Sequence, residues 1–115
     1  MTGNTILGIE SDLSRELLGK VAIVTGAGRM RGIGRATASV LARMGADIVV
    51  TGTGRHPESF PEDEKNAGWR DIQSTAEEVE SFGVRVLPLV SNVADEADVQ
   101  RMIVDTVAEF GRLDV

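Results

Sequence analysis

The sequence predicts an α/β chain on a doubly wound parallel sheet, and three observations predict it. Short apolar runs recur at residues 21–24, 47–51 and 85–90, each suited to a strand covered on both faces. The stretches between them carry the 3.6-residue apolar period of helices, so the order reads β-α-β-α-β-α-β with right-handed connections. Residues 20–44 join the first strand to the first helix through a glycine-rich turn, the context that a phosphate-binding turn requires.

Taken in order, residues 1–18 scatter six aliphatic side chains among polar ones and read as an N-terminal arm, with residues 19–115 as the folded unit. Val21, Ala22, Ile23 and Val24 make the first strand. From Ile33 a helix is expected to bury Ile33, Ala36, Thr37, Val40, Leu41 and Met44 on one face, and Gly45 stops it. Residues 47–51 form a β-branched second strand. Residues 52–68 read as a long loop with Pro57, Pro61 and a charged cluster at 62–65; loops of this length tend to be functional or disordered. A helix over 69–82 turns Ile72, Ala76 and Val79 inward and ends at Gly83. The third strand, 85–90, contains Pro88, which removes a ladder donor and predicts an edge position. Asp95 is the expected N-cap of a last helix, with Glu96 and Asp98 in its first turn and Val99, Met102, Ile103, Thr106 and Phe110 at helical spacing up to Gly111. Residues 113–115 begin a fourth strand.

The turn carries the chemistry. A pyrophosphate is anionic and bulky, so it needs backbone N–H donors with no side chain in the way. Gly26 can take a left-handed conformation at the strand exit. Gly32 lets the backbone approach phosphate, and Gly34 lets the helix lie against the strand. The helix N-terminus at Ile33 adds unpaired N–H groups and partial positive charge.

The run from Thr25 through Gly34, T-G-A-G-R-M-R-G-I-G, followed by R-A-T-A, resembles the cofactor turn of the short-chain dehydrogenase/reductases. Arg31-Gly32-Ile33-Gly34-Arg35-Ala36 is especially similar to the ketoacyl-carrier-protein reductase branch. The resemblance implies a Rossmann-type fold, here incomplete, and a dinucleotide cofactor. One departure is plain: five residues separate Gly26 from Gly32, where the family usually has three, which leaves the path of residues 28–30 open.

In such turns an acid about 20 residues past the glycines takes the ribose hydroxyls, whereas an arginine there accommodates a 2′-phosphate. Residues 48–56 contain no acid but hold Thr53 and Arg55, while Arg29 and Arg31 add charge at the turn. Bidentate guanidinium–phosphate pairing makes NADP the expected cofactor over NAD. Asn92 and Val93, at the end of the third strand, stand where the family's Asp-Val contacts adenine, and the Asn carbonyl can accept from an amino group. The cofactor residues expected are therefore Gly26, Arg29, Arg31, Gly32, Ile33, Gly34, Thr53, Arg55, Asn92 and Val93.

The remaining polar residues read blandly. His56, the single histidine, fits a solvated loop better than a metal site; residues 62–64 fit a solvated acidic face, and Trp69 and Phe82 fit packing. No P-loop pattern is present. With 115 residues, a formal charge of −6 and a pI near 4.7, the chain is at most one small acidic domain. That balance argues against nucleic acid or an anionic membrane as the main partner. Absence of cysteine removes disulfide and thiol chemistry, and a cytoplasmic setting is expected.

The family resemblance implies hydride transfer between NADP(H) and a carbonyl or secondary alcohol, and a homo-oligomer. Its Ser and its Tyr-x-x-x-Lys lie beyond the part resembled here, and this chain has no tyrosine. No catalytic and no metal-binding residue is therefore expected, and the 115 residues read as the cofactor half of an oxidoreductase, inactive alone. The alternatives are a non-catalytic nucleotide sensor and, with less support, a methyltransferase turn.

Overall fold

A computed structural model describes residues 16–115, and the arm expected at the N-terminus lies mostly outside them. Three parallel strands form the sheet: β1 (Val21–Val24), β2 (Asp47–Gly52) and β3 (Val86–Val90), with β2 in the middle. Val21 pairs with Asp47 and Ile48 with Val86 in the register. On the free side of β1, Ile23 N–H donates to Val115 O at 2.8 Å and Val115 N–H to Val21 O at 3.1 Å. Residues 113–115 thus start the fourth strand where expected, and β3, carrying Pro88, is an edge.

Among the described residues, four α-helices follow the strands: α1 (Ile33–Arg43), α2 (Glu62–Ala67), α3 (Ile72–Glu80) and α4 (Glu96–Phe110). The crossovers β1→β2 and β2→β3 move the same way across the sheet, so right-handedness puts α1 and α3 on one face. There Ala22, Val24, Ile48 and Val50 meet Ala38, Ala42, Ile72, Ala76 and Val79 in the main core. The third crossover returns past β1, which places α4 on the other face, with Met102 beside Leu89. The reversal of direction beside β1 creates a crevice at the C-terminal ends of the strands, the usual ligand position in open α/β sheets.

Three expectations need correction. The buried residues of α1 are Ala38 and Ala42, in line with the close approach at Gly34; of the expected row Leu41 packs against the core, whereas Ile33 (87 % exposed), Ala36, Thr37 and Val40 are exposed. The cause is at Gly34, where a Cβ would stand 2.5 Å from Gly26 O, so the helix packs with its backbone close to the turn. Nor is 52–68 simply a loop, since a 3₁₀ turn (Pro57–Ser59) and α2 are folded within it. His56 Nδ1 accepts from Glu58 N–H and caps that turn, its ring solvated as expected. Leu17, assigned to the arm, donates its N–H to Met44 O at 2.9 Å and packs against the core.

Both ends of α4 follow local chemistry. Asp95 accepts from Ala97 N–H at 2.9 Å, and Gly111 ends α4 in a left-handed conformation (φ 82°). Among the described residues no helix is long and apolar enough to cross a membrane, and no cluster of acids with histidine is placed to hold a metal ion.

Candidate functional site

An open cavity of about 280 Å³ lies at the C-terminal ends of the three strands. Gly26, Gly28 and Arg29 form one end, Gly52, Thr53 and Arg55 the floor after β2, and Ser91 and Val93 the end after β3, with Asp71 completing it. Five expected residues therefore converge: Gly26, Arg29, Thr53, Arg55 and Val93. The volume sits at the lower end of ordinary ligand pockets, enough for part of a dinucleotide.

Gly26 adopts the left-handed conformation anticipated for it (φ 61°). Gly32 is the N-cap of α1; it offers no side chain, and the first helical turn holds no acid, so nothing of the helix's own covers the leading N–H groups at Ile33 and Gly34. Ser91 is buried, and its Oγ has no partner among the described residues. A buried hydroxyl left unpaired costs free energy unless a ligand or water meets it. Bare glycine turn, uncapped helix start and orphaned hydroxyl all fit a phosphate-bearing nucleotide.

The longer turn is held from outside. Ala27 N–H donates to Thr51 O at 2.8 Å, while Ala27 O accepts from the buried Thr75 Oγ1 at 2.6 Å. Gly28 O accepts from Trp69 Nε1 at 2.6 Å and from Arg55 Nη2 at 3.1 Å. Met30 N–H donates to Glu64 Oε2 at 2.8 Å, and Met30 O accepts from Arg35 Nη1 at 2.6 Å. Arg35 in turn lies 4.8 Å over the Trp69 ring. Residues 28–30 thus follow a path set by side chains from α1, α2 and the approach to α3.

Arg55 is placed otherwise than expected. Its side chain is only 14 % exposed, and its guanidinium is engaged by two carboxylates. Nε donates to Asp71 Oδ1 at 3.0 Å and Nη1 to Glu64 Oε1 at 2.9 Å, with Phe60 under the plane at 4.7 Å. Glu64, read as part of a solvated acidic face, is 2 % exposed. Burial pushes its carboxyl up, but the Arg55 hydrogen bonds, Met30 N–H and the Arg55 charge outweigh this and hold it below its usual range. For Arg55, burial lowers the pKa while Glu64 and Asp71 raise it, and the net shift is upward.

Five expected residues do not line the cavity: Gly32, Ile33 and Gly34 at the start of α1, and Arg31 and Asn92. Arg31 faces the neighbouring hollow along α1 and pairs with Asp63 at 2.7 Å, an exposed bridge of little energetic weight. Asn92 spends its Oδ1 on Ala94 N–H at 3.0 Å, a local turn contact. The residues that sequence reading missed are Glu64, Asp71 and Ser91. No local signal marks the first two: Glu64 lies in the charged run at 62–65 and Asp71 in the stretch read as helix.

The profile of the short chain dehydrogenase family matches residues 20–115. An uncharacterised NAD-dependent oxidoreductase of Mycobacterium tuberculosis is 39% identical over 106 residues, covering 86% of this chain and 35% of the relative. The NADP-dependent mannitol dehydrogenase of Hypocrea jecorina is 35% identical over 113 residues, covering 98% of this chain and 36% of that protein. A short chain dehydrogenase structure from Mycobacterium paratuberculosis bound to NAD superposes with a TM-score of 0.67 at 33% identity, over 86% of this chain and 35% of that one. The chain spans about a third of the length of the relatives it matches. Sheet order, glycine turn and profile agree on one conclusion: the chain belongs to the short-chain dehydrogenase family.

Proposed function

We propose that this chain is the adenosine-side half of a nicotinamide dinucleotide site, in a homo-oligomeric, cytoplasmic oxidoreductase that interconverts a carbonyl and a secondary alcohol. The observation that carries it is the cavity joining the bare glycine turn to the unpaired Ser91 hydroxyl across the strand ends. The turn and the N–H groups at Ile33 and Gly34 bind pyrophosphate, with Gly32 leaving the approach clear. Thr53 meets the ribose, and Val93, with Ser91, frames the adenine; Asn92, expected there from the sequence, has its Oδ1 on Ala94 N–H. When bound, the nicotinamide supplies or takes a hydride. No residue of the chain is assigned a catalytic role.

The charge of the ribose floor supports NAD(H): one guanidinium, Arg55, meets two carboxylates, Glu64 and Asp71, so the group is one negative charge in excess. A 2′-phosphate brings further negative charge to that floor. NADP(H), the expectation from the sequence, stays as the second reading because Arg29 lines the cavity and forms no side-chain ion pair or hydrogen bond among the described residues. The further likeness to the ketoacyl-carrier-protein reductases rests on residues 31–36 alone.

Calorimetric titration of the protein that carries this chain with NAD⁺ and NADP⁺ tests the reading, beside an assay of nicotinamide absorbance with a panel of ketones. Micromolar binding of a dinucleotide with turnover is the expected result. Binding without turnover in a protein holding the family's Tyr-x-x-x-Lys would favour the sensor, and no binding of either nucleotide would remove the proposal.

A further inference from the structure

We infer that Arg55 is a masked phosphate clamp, and that Asp71 and Glu64, by holding it, make the site discriminate against a 2′-phosphate. This rests on the dinucleotide reading above and assigns the specificity-determining role to residues well away from the end of β2, where such an acid ordinarily stands.

A guanidinium has five N–H donors in a fixed fork. Here Nε and Nη2 meet Asp71 Oδ1 at 3.0 and 2.9 Å, Nη1 and Nη2 meet Glu64 at 2.9 and 3.2 Å, and Nη2 also donates to Gly28 O at 3.1 Å. At most one donor remains, and bidentate recognition of phosphate needs two. The acids also cancel the charge that would attract the phosphate. Their grip is strong because both are buried, Glu64 at 2 % and Asp71 at 9 % exposure.

Asp71 is also conformationally set for this task. It is the one non-glycine residue with positive φ among the described residues (φ 60°, ψ −137°), outside the left-handed helical region that Asp and Asn enter most readily. Strained backbone of this kind is kept where the surroundings over-determine it, often beside a ligand. Its carboxylate leans over the phosphate turn: a Cβ on Gly28 would lie 2.2 Å from Asp71 Oδ1. Asp71 Oδ2 also accepts from Arg55 N–H at 3.3 Å, so one residue fixes both the backbone and the head of the arginine. Asp71 lines the cavity together with Thr53 and Arg55, so its charge faces the ribose end.

Asp71→Asn keeps the shape while removing one negative charge. Titrated with NAD⁺ and NADP⁺, the protein carrying this chain should favour NAD⁺. In Asp71→Asn the affinity ratio should move toward NADP⁺ by about tenfold, the worth of one charge-assisted contact regained. Adding Arg55→Met to Asp71→Asn should reverse the gain, which a merely structural role for Asp71 would not produce. Glu64→Gln removes the other mask and is read the same way, should Asp71→Asn fold poorly. A ratio that stays within about twofold of wild type, or a gain that survives loss of Arg55, overturns the masking and leaves the dinucleotide reading standing. Failure of the unaltered protein to bind either nucleotide overturns that reading instead.

Discussion

The turn beside β1 and the helix α4 are held to the same sheet by different means. At the turn, side chains from positions 35, 55, 64, 69 and 75 close on backbone atoms of residues 27–30. On the opposite face α4 buries Met102 and Thr106 and leaves Ile103, Val104 and Val107 exposed. A glycine-rich turn has neither a hydrogen-bond ladder nor side chains to define its path, so definition must come from outside. A helix brings its own backbone bonds and docks through a few apolar contacts. The polar, directional fixing is concentrated where a ligand needs N–H groups in fixed places; the non-directional fixing serves where only cover is needed.

The contrast is broken most severely at Glu64. Glu64→Ala leaves the guanidinium held by Asp71 but strips the partner from Arg55 Nη1 and from Met30 N–H, and each buried donor left unpaired costs about 1–3 kcal/mol. Urea unfolding of the chain should show that loss, with dinucleotide affinity falling alongside. A change below about 1 kcal/mol would mean that water replaces the carboxylate, and the turn is less dependent on outside ties than its geometry implies.

Gly34→Ala comes next. The added methyl would meet Gly26 O at 2.5 Å and Ala27 Cα at 2.9 Å, both backbone atoms that cannot swing aside. Overpacking of this kind costs about 1–3 kcal/mol, against the gain of a few tenths to 1 kcal/mol that Gly→Ala brings inside an unobstructed helix. A rise in the unfolding midpoint would show that α1 can slide away from β1.

Acid should act on the tied side too. Glu64 and Glu78 are held below their usual range; for each, burial raises the value, and hydrogen bonds outweigh it, from Arg55 to Glu64 and from Ser39 and Arg35 to Glu78. Both therefore bind protons less readily folded than unfolded. Their stabilisation is fully present above the ordinary glutamate range, about pH 4–5, and drains as the pH falls through the folded values. Denaturation midpoints followed from pH 7 to pH 3 should fall, with the fall flattened in Glu64→Gln. An identical slope in that variant would exclude Glu64 as a source of the acid sensitivity.

What could be foreseen from the sequence divides along the same line. The strands, the left-handed Gly26, the Asp95 cap and the Ile72, Ala76, Val79 face depend on neighbours within a turn or two, and periodicity and sterics reveal them. On α1 the expected Leu41 does pack inward, but Ile33 and Val40 do not, because large apolar residues signal burial by default and here contact at Gly34 selects Ala38 and Ala42. Arg55 was misread for a comparable reason. Its partners stand 9 and 16 residues away, and they meet it only once α2 and the start of α3 have folded back over the turn. Composition makes that segment look solvated, and nothing local says that its acids are buried.

The smallest effect belongs to α4, and its smallness is the point. Val104 is 64 % exposed on the outer side of that helix, beside Ile103 and Val107. Replacing it with Lys removes no buried contact. It also exchanges a β-branched residue, whose χ1 is restricted in a helix, for an unbranched one, a gain of a few tenths of a kcal/mol at most. The unfolding midpoint of Val104→Lys should therefore stay within about 0.5 kcal/mol of the unaltered chain, on either side. Its association should change more than its stability, because a charge has entered an exposed apolar row. Light scattering of the 115-residue chain at several concentrations is expected to show self-association that Val104→Lys reduces. Destabilisation above about 1 kcal/mol would show that this side of α4 is covered after all, and the two faces of the sheet would then be held more alike than their contacts indicate.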